Sequence, residues 1–330
     1  MLDILVVLHE GGHFLVARLC GIKVNEFSIG MGPALYSHTI KKSGIKFSVR
    51  SLPFGGYVAM EGEGTESQDE NAYCNKSVWK RMATVFAGPF VNVLTGFLAM
   101  LLLVIITVPA TNIVGGYQGE CKSREYGIEI GDEIIRVNNA TVHTGNDLYY
   151  EVTNQGFEPV NLTVIRNGEK LVLENVEFES ITEEGVTFGQ FDLKLYRADK
   201  NIGTVMSQTF WRTVSTAKMI YDSLLDMLKG RYGLDSISGP IGMSEAVGEA
   251  ASAGFSSLLY LFCIITVNLG VMNLLPLPAL DGGHLLTLIC EAITRKKINQ
   301  KVAQYINAAG LLILLGFMAL VTLKDIYNLF

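Results

Sequence analysis

Residues 2–22 read LDILVVLHEGGHFLVARLCGI, and the pentapeptide at their centre, His9-Glu10-Gly11-Gly12-His13, decides how the rest of the chain is read. The stretch is apolar except for Asp3, His9, Glu10, His13 and Arg18. On a helix, positions i and i+4 share a face, so His9 and His13 can reach one ion. Glu10 lies beside them and can take a proton from water that such an ion activates; zinc lowers the pKa of that water to about 7. Ionisable side chains inside an apolar segment are costly in lipid, so these must face a protein interior or a water-filled cavity. The expected element is a short or truncated spanning helix. A signal peptide is not expected, because the stretch has neither a basic n-region nor a small-residue cleavage site.

Three further stretches carry about the 20 mostly apolar residues that a spanning helix needs. They are residues 84–110 (TVFAGPFVNVLTGFLAMLLLVIITVPA), 255–278 (FSSLLYLFCIITVNLGVMNLLPLP) and 304–323 (QYINAAGLLILLGFMALVTL). With the N-terminal helix they make about four spans. The composition agrees: hydrophobic residues are 49% and charged residues 18%, below the roughly 25% charge of a soluble domain. Charges crowd residues 112–235 and nearly vanish from 84–110 and 255–278, the profile of a membrane body carrying a soluble insert. Lys23, Lys41, Lys42, Lys46, Arg50, Lys76, Lys80 and Arg81 fall in 21–83, and Arg295, Lys296, Lys297 and Lys301 in 279–303. By the positive-inside rule both connectors face the cytoplasm, which places the insert 111–254 and both termini outside. The net charge of −6 comes with no basic patch, so no nucleic-acid partner is expected. The five cysteines form no CxxC pair, and neither a disulfide nor a cysteine metal site is inferred.

A catalytic zinc takes three protein ligands and keeps one position open. Two histidines are in place; His38, His143, His284 and the carboxylates remain for the third position. The best-placed candidate is Asp281, in Asn273-Leu274-Leu275-Pro276-Leu277-Pro278-Ala279-Leu280-Asp281-Gly282-Gly283. The prolines break helical hydrogen bonding beside it. Asp281 reads equally well as a metal ligand or as the N-cap of the helix that follows.

HEGGH in a first apolar segment together with NLLPLPALDGG in a late one resembles the site-2 protease family, in the branch of bacterial regulator-of-sigma proteases with a PDZ insert. Shorter pieces in the same order extend the resemblance over essentially the whole chain: Gly30-Met31-Gly32-Pro33, Pro53-Phe54-Gly55-Gly56-Tyr57-Val58, Gly88-Pro89-Phe90-Val91-Asn92 and Ser238-Gly239-Pro240-Ile241-Gly242. The resemblance implies Zn2+ bound by His9, His13 and Asp281, with Glu10 as general base. It implies hydrolysis of a peptide bond in or near the transmembrane segment of a single-span membrane protein, such as an anti-sigma factor or a remnant signal peptide, in regulated intramembrane proteolysis. Asn273, Pro276 and Pro278 match positions implicated in substrate handling, and Asn92 falls where the family has a second-span asparagine near the active site. The implied setting is the lipid bilayer of a bacterial plasma membrane, with the active site toward the cytoplasm and the PDZ domain outside the cell. One departure is that the family's first span usually begins further upstream.

The fold class expected is therefore a polytopic α-helical membrane protein with a re-entrant β-hairpin and an inserted, mainly-β PDZ domain. Four parts follow: 1–110, with the HExxH helix, the re-entrant loop and a second spanning helix; 111–198, the PDZ domain; 199–254, an amphipathic helix and linker; and 255–330, the C-terminal membrane region. Residues 44–60 (GIKFSVRSLPFGGYVAM) alternate and contain a Pro-Phe-Gly-Gly turn, which reads as a hairpin. It is either a surface hairpin or, as in the family, a loop dipping toward the active site. In the second case Gly55 and Gly56 sit where an exposed strand edge would hold substrate by β-addition. In the insert, Gly131-Asp132 leads into a strand and Asn167-Gly168 reads as a hairpin turn. The domain either binds a peptide or serves as a structural filter. Apolar residues at helical spacing in 204–228 give an amphipathic helix, lying on the membrane surface or packing on the insert. A metal transporter or sensor could use the same histidines, but would have no need of Glu10 as a base.

Overall fold

The computed structural model describes residues 2–119, 121–183, 185–231, 233, 239–296 and 299–328. The chain divides into two compact units, one formed by residues 1–96, 238–253 and 261–330, the other by 97–237 and 254–260. Three helices are long and apolar enough to cross a membrane among the described residues: α2 (Val78–Ile106), α6 (Phe255–Asn273) and α8 (Gln300–Asn328). Helix α1 (Leu2–Leu19) holds the HEGGH pentapeptide. The late apolar run ends sooner as a helix than its hydropathy suggests. Helix α6 stops at Asn273, and the proline-bearing stretch 274–280 is turn and loop before α7 (Asp281–Thr294) begins.

In the first unit α1 packs on a small sheet made by β1 (Val24–Thr39) and β2 (Lys46–Met60). Ala17, Ile22, Val24, Phe27, Ile45 and Val58 form the buried core between them. The Phe14, Phe27 and Phe47 rings close it at centroid separations of 5.5–5.9 Å. Residues 44–60 do not fold onto themselves as a hairpin. Instead Glu26–Ile29 of β1 have partners on both sides, Lys46–Val49 on one and Gly56–Ala59 on the other, while Ala34–Thr39 run antiparallel to Lys46–Arg50. Each long strand thus doubles back. Gly30 and Gly32 turn β1 at φ 82° and 84°, and Gly55 turns β2 at φ 79°, conformations that a side chain would oppose. A Cβ on Gly30 would lie 2.5 Å from the Leu52 carbonyl oxygen, so this reversal is also a close backbone approach. Arg50 fastens the layers from within: it donates to Glu26 at 2.8 Å, to Ser28 Oγ at 2.9 Å and to the Gly32 carbonyl at 2.7 Å, and also bonds the Tyr57 hydroxyl.

The second unit carries a sheet in the order β10-β3-β4-β6-β7, with β5 paired to β4. These are β3 (Ala110–Tyr117), β4 (Glu133–Val137), β5 (Ala140–Thr141), β6 (Val160–Arg166), β7 (Glu169–Val176) and β10 (Leu193–Arg197); β8 (Glu179–Glu183) and β9 (Val186–Gln190) form a separate ribbon. Val114, Ile134, Val137, Leu162 and Val164 from the strands bury against Leu148 and Val152 of α3 (Gly145–Gln155). Thr144 and Asp147 form a reciprocal capping box at the start of α3. Asn167 and Gly168 take φ 53° and 83° between β6 and β7, the double positive φ that a tight two-residue hairpin needs. Asp132, fully buried, accepts from Arg166 at 2.7 and 2.8 Å, so the Gly-Asp turn is locked to the hairpin.

Helix α4 (Ile202–Leu228) of this unit is inside out. Its buried residues are Gln208, Thr209, Thr213 and Thr216, whereas Ile202, Met206, Phe210, Val214, Tyr221 and Leu228 are exposed. Helix α5 (Pro240–Ala253) belongs to the first unit, where Asp325 of α8 accepts the Gly239 and Gly242 amides at 3.3 Å.

Candidate metal centre

Helix α1 places His9 and His13 one turn apart, with both imidazoles nearly buried. Their Nε2 atoms stand 3.2 Å apart. Asp281, the first residue of α7, brings its Oδ2 to 3.1 Å from His9 Nε2 and 3.4 Å from His13 Nε2. Among the described residues this is the cluster able to hold a metal ion.

The far side of each ring shows what the near side can be. His13 Nδ1 lies 2.8 Å from the Thr84 carbonyl oxygen, an acceptor only, so Nδ1 carries the proton and Nε2 presents a lone pair. His9 Nδ1 lies 3.1 Å from the side-chain amide of the fully buried Asn92. The amide's two ends are interchangeable by a flip, and with Oδ1 turned to the ring it accepts an Nδ1 proton. Two Nε2 lone pairs then meet the buried carboxylate oxygen of Asp281, which has no hydrogen-bond donor. Three acceptors converging with no proton among them repel one another unless a cation sits between. Two imidazoles and one carboxylate, each imidazole steadied by an outer partner, match the donor set of a catalytic zinc.

Glycine lets the helices come this close. A Cβ on Gly88 of α2 would lie 2.6 Å from His13 Cε1 and 2.8 Å from His9 Cε1. A Cβ on Gly12 of α1 would lie 2.5 Å from the Ala87 carbonyl oxygen. The crossing of α1 and α2 is thus a small-residue contact with the two imidazoles inside it. Pro89 removes the amide proton that the Val85 carbonyl would otherwise take, loosening α2 beside the site. At the other wall, Gly282 lies against Leu274 and Gly283 against Leu277, so the loop folds tightly onto the first turn of α7. Ala279 pays for that fold with φ 69°, a left-handed conformation uncommon for a residue with a Cβ.

The family model of peptidase family M50 matches residues 1–317. The chain belongs to this family. Curated relatives with the name "putative zinc metalloprotease" include proteins of Clostridium acetobutylicum, 35% identical over 98% of this chain and 94% of the relative, and of Clostridium perfringens, 34% identical over 98% and 95%. A third, from Fusobacterium nucleatum, is 30% identical over the full chain and 97% of its own length. As an M50 peptidase of the site-2 protease type, the chain is a zinc metalloprotease, and its apolar helices make it a multi-pass protein of a lipid bilayer.

The candidate ligand residues of this M50 chain line a cavity of about 420 Å³. Glu10 and Asn273 line it. Gly56 backs onto Glu10, with a Cβ position 3.3 Å from the Glu10 Cγ. Asn92 stands against His9 Nδ1 and is not in the cavity wall. Pro276, Pro278 and Gly55 are not in the cavity wall: Pro278 lies against Gly310 of α8, and Gly55 against Met31. Sequence reading missed several wall residues, among them Tyr57, Glu63, Tyr73, Arg81, His284 and Asn307. Arg81 on α2 donates to Glu291 on α7 at 2.5 and 3.1 Å, tying together the two helices that carry Thr84 and Asp281. A signal for that pair was available, since Arg81 and Glu291 are charges set beside apolar runs.

Proposed function

We propose that this chain is an intramembrane endopeptidase that hydrolyses a peptide bond in or near the transmembrane segment of single-span membrane proteins, of the anti-sigma-factor or remnant-signal-peptide kind. The observation that carries the reading is the placing of Glu10 beside three converging, donor-free ligand atoms, in a cavity whose wall includes Tyr57, Val58 and Met60 of β2. His9, His13 and Asp281 hold the zinc. Bound there, zinc supplies Lewis acidity and lowers the pKa of water to about 7. Glu10 takes the proton of the attacking water and returns it to the leaving amide nitrogen. Thr84 and Asn92 keep the two rings in the ligating tautomer.

A transmembrane helix hides its amides in internal hydrogen bonds, so the scissile segment must be extended before it is cut. Residues 56–60 supply the template. They pair with β1 on one side and have no strand partner on the other among the described residues. An extended substrate strand added at this edge lies across the cavity.

We read α1 as a fourth pass, with the site toward the cytoplasm and residues 111–198 as an extracytoplasmic PDZ domain. Two features of the second unit support the last assignment: the sheet ends on the edge strand β10, and α3 and β10 line a groove of about 850 Å³. Gly145, Tyr149, Leu193 and Leu195 give that groove an apolar floor suited to an extended peptide. The outward apolar stripe of α4 fits a helix lying on lipid better than one packed on the sheet, since its inward face is threonine-rich.

The test is cleavage of a model single-span substrate by detergent-purified protein, wild type beside Glu10→Gln, with bound zinc measured in both. Cleavage by the wild type alone, with about one zinc in each, supports the reading. A Glu10→Gln variant that cuts as fast as wild type refutes it.

A further inference from the structure

His284 is the third imidazole of this region, and neither the metal set nor its supports use it. It lies on the first turn of α7, three residues after Asp281 and so on the same face, and it lines the metal cavity. Its proton can be placed from its neighbours. Asn307 of α8 accepts the Ala279 amide proton at its Oδ1, at 3.4 Å, which fixes the orientation of the Asn307 amide. The Nδ2 end therefore faces His284 and stands 3.2 Å from its Nε2. Nδ2 only donates, so His284 Nε2 accepts and the ring proton sits on Nδ1. The Ala279 amide that sets this chain of bonds belongs to the residue held at φ 69°. The strained turn and the tautomer of His284 are thus one arrangement.

We propose that His284 is a further catalytic residue, a neutral imidazole whose Nδ1–H donates a hydrogen bond to the oxygen of the scissile carbonyl as charge develops on it. Asn307 is its positioning residue. The proposal rests on the peptidase reading above. The chemistry asks for such a donor: the carbonyl oxygen gains negative charge as water adds, and a preorganised N–H in a water-poor site is worth far more there than in bulk water. Of the cavity-lining groups near Asp281, Glu10 is committed to the proton of water and Asp281 to the metal. His284 lines the same cavity and is left with a donor that neither the metal set nor Asn307 takes up.

The experiment uses the full-length zinc-loaded protein in detergent with a single-span substrate. It compares wild type, His284→Ala, Asn307→Asp and Glu10→Gln, measuring kcat, KM and bound zinc. It also reads the His284 tautomer by NMR of 15N-histidine-labelled protein. His284→Ala is expected to keep its zinc and its KM while kcat falls roughly 10²–10³-fold, the loss seen when one oxyanion donor is removed. Asn307→Asp replaces a donor by an acceptor, so the proton moves to Nε2 and Nδ1 loses its hydrogen. Its kcat should fall by a similar factor although the imidazole remains. The NMR signature should be Nδ1–H in wild type and Nε2–H in Asn307→Asp. A His284→Ala protein with wild-type kcat, or an Nε2–H tautomer in the wild type, overturns the proposal; so does loss of zinc in His284→Ala, which would make the ring a ligand or a support. A wild type as inert as Glu10→Gln overturns the peptidase reading itself. An active, Glu10-dependent wild type matched by His284→Ala overturns only the role of His284.

Discussion

The two glycines inside HEGGH should behave oppositely on replacement by alanine. Gly11 has nothing within 4 Å of where a Cβ would stand. Gly12 has the Ala87 carbonyl oxygen at 2.5 Å, the Ala87 carbonyl carbon at 2.9 Å and Val91 Cγ2 at 3.0 Å. The first two are backbone atoms of the facing helix and cannot swing aside, so α1 and α2 must part by about 0.9 Å to regain ordinary contact. His13 is the next residue, and its Nδ1 bond to Thr84 and its Nε2 both depend on that separation. Loss of an outer partner of a metal-bound histidine typically costs 10–100-fold in metal affinity, and we expect Gly12→Ala to fall in that range. Gly11→Ala should leave affinity unchanged and stiffen α1, by up to about 1 kcal/mol of helix propensity. Gly88→Ala, whose Cβ would press on both imidazoles, should be at least as damaging as Gly12→Ala. The assay is zinc retention against a graded chelator, followed by thermal unfolding of the loaded proteins in detergent. Equal zinc affinity in Gly11→Ala and Gly12→Ala would refute the close helix crossing as the element that sets the site.

Further outcomes follow from the same geometry. Asp281→Ala should lose zinc, whereas Asp281→Glu should keep it weakly, because one methylene moves the carboxylate off its position against the two Nε2 atoms; metal content per chain reads this directly. Asn92→Leu should lower zinc affinity about 10–100-fold without touching the cavity wall, and KM for a cut substrate should stay unchanged. Arg81→Ala leaves Glu291 partly buried and unpaired, a change that costs about 3–5 kcal/mol for a buried pair. Thermal unfolding should show it, and the swap of Arg81→Glu with Glu291→Arg should restore part of the loss. Ile202→Ser together with Phe210→Ser on α4 should weaken association of the second unit with lipid vesicles while leaving its thermal stability intact, since both side chains point out of the fold.

The chemistry of this chain was far more legible than its shape. HEGGH announces a metal by spacing alone, because i and i+4 on a helix leave little choice of geometry. Asp281 is different. Nothing in NLLPLPALDGG distinguishes a ligand from a helix cap; the structure makes Leu280 the N-cap of α7 and brings the Asp281 carboxylate against the two imidazoles. The double-backed sheet was hidden for a related reason. Gly30, Gly32 and Pro33 interrupt residues 24–39, so the partner of 44–60 carries no continuous strand pattern, and 44–60 reads as a hairpin by itself. The small-residue contacts at Gly12 and Gly88 were equally silent, since a glycine in an apolar run does not say which backbone it approaches. Asn92 was expected near the site among the substrate-handling residues, and the structure sets its amide against His9 Nδ1. A polar residue in a span signals a site, yet whether it meets substrate or steadies a ligand depends on which ring nitrogen it faces.

Hydrolysis inside a membrane needs three things that lipid opposes: a cation, water, and a peptide free of its helix. On the reading proposed above, the architecture answers each with a local device. The candidate cation site lies where two helices cross at glycines, so the imidazoles are enclosed and their outer nitrogens are met by one carbonyl and one amide. The cavity that reaches Asp281 is also lined by Glu63, Arg81, Glu291 and Gln304, a wall polar enough to hold water. On the proposed reading an extended peptide adds to the outer edge of residues 56–60, and the strand that carries this edge is held by Arg50 through the hydroxyl of Tyr57. Each device is local, yet the three meet because Gly56 packs on Glu10. The residue that would take the proton of water is thus in contact with the strand that would hold the bond to be cut. On the proposed reading this contact between α1 and β2 couples the base to the substrate strand, so substituting Gly56 should disturb catalysis and substrate binding together.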